Sequence, residues 1–212
     1  MRTKVHQTIT DKIHKDAFFY KKECIDYFLT KSHLELIAHE VPYGMSGRYS
    51  DLVIIESGRT ISIEIKSDVD NLSRLGGQIE DSRKVFDFVI VMVSEKYLED
   101  VIKLIPEDVG IMYYSDKLRI KRKPKRQSIN IIEIAYSIPA IYIRKKRNLS
   151  SNLDVDAVRQ FLGNLPKRTT RQLYLSYLKY KYLNRYQLFL NDRGECTHED
   201  DISVLSFGEV II

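Results

Sequence analysis

Two spacings of apolar residues alternate along the chain, and the switches between them divide it into elements. Asp16 to Leu29 (DAFFYKKECIDYFL) carries Ala17, Phe18, Ile25, Phe28 and Leu29 at helical intervals with Asp16 as cap, which predicts a first helix. Leu34 to Val41 reads as a short strand, and Pro42, Gly44 and Gly47 mark the loop after it. Ser50 to Ile55 and Thr60 to Lys66 are rich in β-branched residues, and Glu56-Ser57-Gly58-Arg59 between them suits a tight turn, so the two predict a hairpin. Leu72, Leu75, Ile79, Val85 and Phe86 return to helical spacing. Phe88 to Val93 (FVIVMV) is then apolar throughout, as a strand covered on both faces would be. Tyr97 to Ile105 predicts a helix that stops at Pro106, and Val109 to Tyr114 a further strand.

This order mixes an antiparallel hairpin with βαβ crossovers. It predicts an α/β core over residues 1–115, with a mixed sheet flanked by helices. Residues 116–212 read as a basic strand and loop segment followed by a helical region. Leu118 to Arg122, Asn130 to Tyr136 and Ala140 to Arg144 are expected as short strands or extended edges. Leu153 to Leu162 and Thr169 to Leu190 are expected as a helical hairpin. Tyrosines 174, 177, 180, 182 and 186 ring the second of these helices among Lys179, Lys181 and Arg185. They either pack the helix onto the core or stack on nucleic-acid bases.

Composition narrows the functional classes. With 212 residues the chain is long enough to bury roughly 70% of its unfolded surface. A hydrophobic fraction of 43% beside a charged fraction of 30% fits a soluble globular protein. Met1 to Gln7 is polar with no apolar stretch behind it, and no run reaches membrane-spanning length. Two cysteines suit a reducing compartment, so a cytoplasmic protein without a membrane partner is expected. The five histidines show no Cys/His pairing of the kind a structural zinc site needs. Lys117 to Arg147 holds eleven Lys or Arg against one acid, Glu133. Such an excess attracts polyanions, and Lys121, Arg122, Lys123, Lys125 and Arg126 are the expected nucleic-acid contacts.

The chemistry concentrates in Thr60-Ile61-Ser62-Ile63-Glu64-Ile65-Lys66. Strand alternation sends the isoleucines one way and Ser62, Glu64 and Lys66 the other. The hairpin partner begins with Asp51, which pairing across the four-residue turn brings toward Glu64 and Lys66. Two hard carboxylates so placed suit Mg²⁺ or Mn²⁺, with the Ile65 carbonyl as a third donor. Lys66 would then orient the attacking water and stabilise the transition state of phosphodiester hydrolysis.

The stretch from Glu40 to Gly110 resembles the PD-(D/E)xK nuclease superfamily. More narrowly, it resembles a bacterial and phage group in which an Asp-bearing strand is followed by Glu-Ile-Lys-Ser and Asp-x-Leu-x-Arg-Leu-x-x-Gln. Here those blocks are Asp51, Glu64-Ile65-Lys66-Ser67, and Asp70 through Leu72, Arg74 and Leu75 to Gln78. The resemblance implies a restriction-endonuclease-like core in which Asp51 and Glu64 hold the metal and Lys66 is catalytic. It also implies that Gln78 faces the site from the following helix, with Arg74 beside it toward nucleic acid. An additional upstream acid would be Glu40, or else Glu23. The chain departs from the group's pattern at Ser82, where an aromatic is usual, and at Tyr49, where an Arg is usual. The expected activity is hydrolysis of nucleic acid, DNA foremost, and a homodimer is an assembly the resemblance allows. The alternatives are a nuclease scaffold that binds nucleic acid without turnover, or a phage module that engages a host protein.

Overall fold

The computed structural model describes residues 15–206, so the reading of Met1 to Gln7 lies outside the described residues. Helix α1 (Ala17–Leu29) starts where Asp16 accepts the Phe19 amide at 2.9 Å. Strands β1 (Leu34–Tyr43), β2 (Arg48–Glu56) and β3 (Arg59–Lys66) form an antiparallel meander. Glu56 pairs with Arg59 across the second turn, where Ser57 and Gly58 take φ of 50° and 67°. Left-handed backbone at both central positions matches the twist of the flanking strands, and glycine meets that demand without strain.

Helix α2 (Leu75–Val85) then carries the chain to β4 (Phe88–Ser94), which lies parallel to β3. A 3-10 turn and α3 (Leu98–Leu104) lead to β5 (Gly110–Tyr114), parallel to β4, and β6 (Leu118–Arg122) returns antiparallel as the last edge. The sheet runs β1-β2-β3-β4-β5-β6, an α/β arrangement of mixed strand direction. β3 and β4 are buried nearly throughout because helices cover the sheet, as their continuous apolar stretches require.

The C-terminal third differs from the strands expected there. Residues 131–137 and 140–147 are helices, α4 (Ile131–Ser137) and α5 (Ala140–Arg147), not extended edges. The β-branched residues Ile131, Ile132 and Ile134 favour a strand locally, but tertiary packing overrides that preference. Asn130 caps α4 through the Ile132 amide at 2.9 Å, and Ile134 and Ala135 bury against the core. Glu133, the one acid of the basic stretch, accepts the Met45 amide at 2.8 Å and Ser137 accepts that of Gly44 at 2.8 Å, which pins α4 to the β1–β2 loop.

Helices α6 (Val155–Gly163), α7 (Lys167–Asp192) and α8 (Glu199–Val204) complete the chain. α7 packs on β1 and α4, and its Tyr174 ring lies 6.2 Å from that of Phe86 behind α2. Buried residues from both sides of position 115 belong to one cluster, and β6 extends the sheet past it. Of the five tyrosines on α7, positions 174, 177, 182 and 186 are buried, whereas Tyr180 is 63% exposed. No helix among the described residues is long and apolar enough to cross a membrane.

Candidate functional site

The ladder registers decide which side chains meet. Leu52 pairs with Ile63, and one further step sets Asp51 level with Glu64. On the other side His39 pairs with Leu52 and Val41 with Ser50, which sets Glu40 level with Asp51. Three adjacent strands therefore carry an acid at the same height. The regular pairing stops here because the Asp51 side chain takes over a ladder position: its Oδ2 accepts the Ile65 amide at 2.8 Å.

Glu64 and Lys66 do converge with Asp51, but not on an open face. Helix α2 covers them, leaving their side chains 4% and 9% exposed. Lys66 Nζ donates to Glu64 Oε1 at 2.9 Å and to Gln78 Oε1 at 3.0 Å. Gln78 Nε2 donates to the same Glu64 oxygen, closing a three-membered network from the first turns of α2. Arg74, one turn ahead of Gln78, is exposed. For Ile65 the group that meets Asp51 is the amide, whereas the expected metal donor was its carbonyl.

Electrostatics mark the pair of acids as strained when both are ionised. Burial, and next the Asp51 charge, push Glu64 up to about 7, with Lys66 and Arg48 opposing. Burial also raises Asp51, against the Ile65 amide and the charges of Lys21 and Lys66. Two desolvated carboxylates, one of them raised further by the charge of the other, are a donor set whose repulsion a hard cation relieves. Mg²⁺ is commonly held by one or two carboxylates while keeping several waters, so Asp51 and Glu64 fit such an ion. Among the described residues no group of three His, Cys, Asp or Glu is placed to bind one.

Glu40 is level with the pair yet turned from it. Its backbone is left-handed, with φ of 50°, its side chain is 58% exposed, and its Oε1 lies 3.8 Å from Lys21 Nζ and 3.6 Å from His39 Nε2. Glu23 instead lies 3.5 Å from Lys22. Two residues that sequence reasoning passed over complete the surroundings. Lys21 of α1, 7% exposed, places Nζ 2.6 Å from His39 Nε2, and its charge lowers Asp51. A lysine ammonium only donates, so His39 Nε2 accepts and its Nδ1–H is left to donate to Ser206 Oγ at 2.6 Å. The signal for Lys21 was its position: three residues before Cys24 and four before Ile25, it falls on the buried stripe of α1.

The basic segment lies elsewhere. β6 is three strands from β3, about 14 Å across the sheet. Arg122 donates to the carbonyls of Val109 at 2.7 Å and Pro106 at 2.9 Å, and Arg126 reaches Asp87 at 3.3 Å. Both are engaged by partners within the fold. Lys121, Lys123 and Lys125 are exposed.

Comparison with known proteins places this geometry in a lineage. A 78-residue stretch, 37% of the chain, is 33% identical to protein cII of Enterobacteria phage P4 and spans 29% of that protein's length. A solved structure, a Silicibacter pomeroyi protein of unknown function, superposes with a TM-score of 0.50 at 12% identity, covering 83% of this chain and 93% of its own, a likeness of fold alone. The profile of the bacteriophage P4 protein cII family matches residues 12–206, both the sheet and the C-terminal helices, and the chain belongs to that family.

Proposed function

We propose that the chain hydrolyses phosphodiester bonds in nucleic acid, DNA foremost, at a site formed by Asp51, Glu64, Lys66 and Gln78. The observation that carries this reading is the meeting of two carboxylates raised by burial with an ammonium and an amide, matching the nuclease pattern its residues resemble. Asp51 and Glu64 would hold Mg²⁺ or Mn²⁺, which when bound supplies charge neutralisation and acidified water. Lys66, drawn off Glu64 once that carboxylate has another partner, places its ammonium beside the scissile phosphoryl group and stabilises the charge that develops there. Gln78 holds Lys66 in place through its carbonyl oxygen. The test is a cleavage panel on linear, circular, branched and single-stranded DNA and RNA with either metal. Cleavage by the wild type that Asp51→Ala lacks is the expected result, and no difference between them overturns the reading.

A second reading, a nuclease-like scaffold that binds nucleic acid or a host protein without turnover, is favoured by the closure of the Lys66–Glu64–Gln78 network and by Glu40 facing Lys21. Membership of a phage protein family is compatible with it. Salt-sensitive DNA binding without metal affinity would establish it; metal bound through both acids would end it.

A further inference from the structure

Between α5 and α7 lies a groove of about 770 Å³, lined by Tyr142, Lys145, Lys146, Lys179, Tyr180 and Asn184 among others. Its size falls within the ~300–1,000 Å³ common to ligand-holding clefts. We propose that this groove binds single-stranded nucleic acid, the tyrosines stacking on bases and the lysines meeting the backbone.

Three observations converge on that ligand. The aromatic floor is built and not incidental: Tyr142 packs on Tyr177 at 5.2 Å and on Tyr180 at 5.2 Å, so Tyr142 is held from beneath while Tyr180, 63% exposed, presents its ring outward. A tyrosine that exposed in mid-helix adds little to packing, whereas an open ring offers every base a face to stack on. The charged side chains that line it are all cations: the last turn of α5 is Arg144-Lys145-Lys146-Arg147, and Lys145, Lys146 and Lys179 line the groove. Lys145 and Lys146 are exposed and make no ion pair among the described residues, while Lys179 is anchored by Glu35. Asn184 adds an amide able to both donate and accept along a base edge. A duplex hides its base faces, so stacking selects unpaired strands.

The inference does not depend on the Asp51–Glu64 site, and the experiment keeps the two apart. Binding of labelled oligothymidylate, oligouridylate and a DNA duplex to the full chain is measured in chelator, where metal-dependent cleavage is silent, with polyphosphate as a competitor that cannot stack. The expected result is a single strand bound more tightly than the duplex, the two oligonucleotide arms identifying DNA or RNA as the better ligand. Tyr180→Ala weakens it about tenfold or more, and Tyr180→Phe stays within about twofold of wild type. Lys145→Ala with Lys146→Ala lowers the salt slope by about 1.4, as two lost contacts to a single strand should. Tyr180→Ala keeps the wild-type melting temperature because its ring is exposed. Unchanged affinity in Tyr180→Ala, or displacement by polyphosphate as effective as by oligonucleotide, overturns the proposal.

Discussion

Lys66 Nζ sits 2.9 Å from Glu64 Oε1, two residues away on the same strand, and both side chains are buried under α2. Residues two apart on a strand share a face, so the pairing itself follows from the sequence, but its burial does not. A buried ion pair is stabilising mainly in the sense that neither partner tolerates loss of the other. Lys66→Met should therefore destabilise the protein by about 3 kcal/mol at pH 8, where it leaves an uncompensated carboxylate. Glu64 already titrates near 7, and without Lys66 it rises further. The folded variant then binds a proton that the unfolded chain, with an ordinary value of 4.5, has released. Its deficit shrinks as pH falls from 8 to 5.5, read as urea midpoints of the two proteins at both values. A deficit independent of pH would show that Glu64 is not the group left exposed to the loss.

The acids Asp51 and Glu64 repel one another while α2 keeps water from them, which predicts a trade between stability and metal response. Asp51→Asn keeps an oxygen to accept the Ile65 amide and removes a charge, so in chelator it should be more stable by about 1 kcal/mol, or roughly 2–4 °C in melting temperature. Mn²⁺ should raise the melting temperature of the wild type by mass action and leave that of Asp51→Asn unmoved. A wild type indifferent to millimolar Mg²⁺ and Mn²⁺ alike would remove the basis for a metal at this pair.

How far the site was legible follows from what each residue depends on. Asp51, Glu64 and Lys66 are set by period-two alternation and a tight turn, both local, and Gln78 by a motif spacing that ends on the next helix. Glu40 was named from the resemblance alone, and its left-handed backbone cannot be read from a strand pattern. Lys21 and His39 meet through packing of α1 on β1, and Ser206 reaches His39 from 167 residues away, a contact with no local signature. The helices α4 and α5 were masked by β-branched composition, and their docking on the β1–β2 loop through Glu133 and Ser137 is again non-local.

His39 offers an acid-side prediction. Burial first, and the charge of Lys21 second, depress it to about 4 from an ordinary 6.5, with Glu40 opposing. Between those values the unfolded chain takes up a proton that the folded chain refuses. The contribution is thus fully present above pH 6.5, lost progressively on acidification, and constant below about 4. The amplitude is on the order of 3 kcal/mol. Comparing urea midpoints of wild type and His39→Gln from pH 7.5 to 4 isolates it, since other titrating groups are common to both. Parallel pH profiles would mean that His39 takes up its proton as readily in the fold as in the unfolded chain, and that its contacts with Lys21 and Ser206 are arranged otherwise.

The basic segment separates into two roles that single substitutions should resolve. Arg122 binds the Val109 and Pro106 carbonyls that follow α3, and truncating it leaves those acceptors to water. Arg122→Ala should lower stability by about 1–2 kcal/mol, hydrogen bonds from a charged donor being the stronger kind, while leaving nucleic-acid affinity nearly unchanged. Lys121, Lys123 and Lys125 are exposed on or just beyond the far edge strand, where charge reversal costs the fold little. Reversing all three should leave the melting temperature in place and, if each meets a phosphate of duplex DNA, reduce the slope of log affinity against log salt by about 2.7. The slope is the decisive quantity, because a general fall in affinity also follows from lowering net charge anywhere on the protein. A salt slope unaltered by the triple reversal would assign these lysines to solubility and move the polyanion surface to the helices of the C-terminal third, where Lys145, Lys146 and Arg147 of α5 and Lys167 and Arg168 of α7 are exposed.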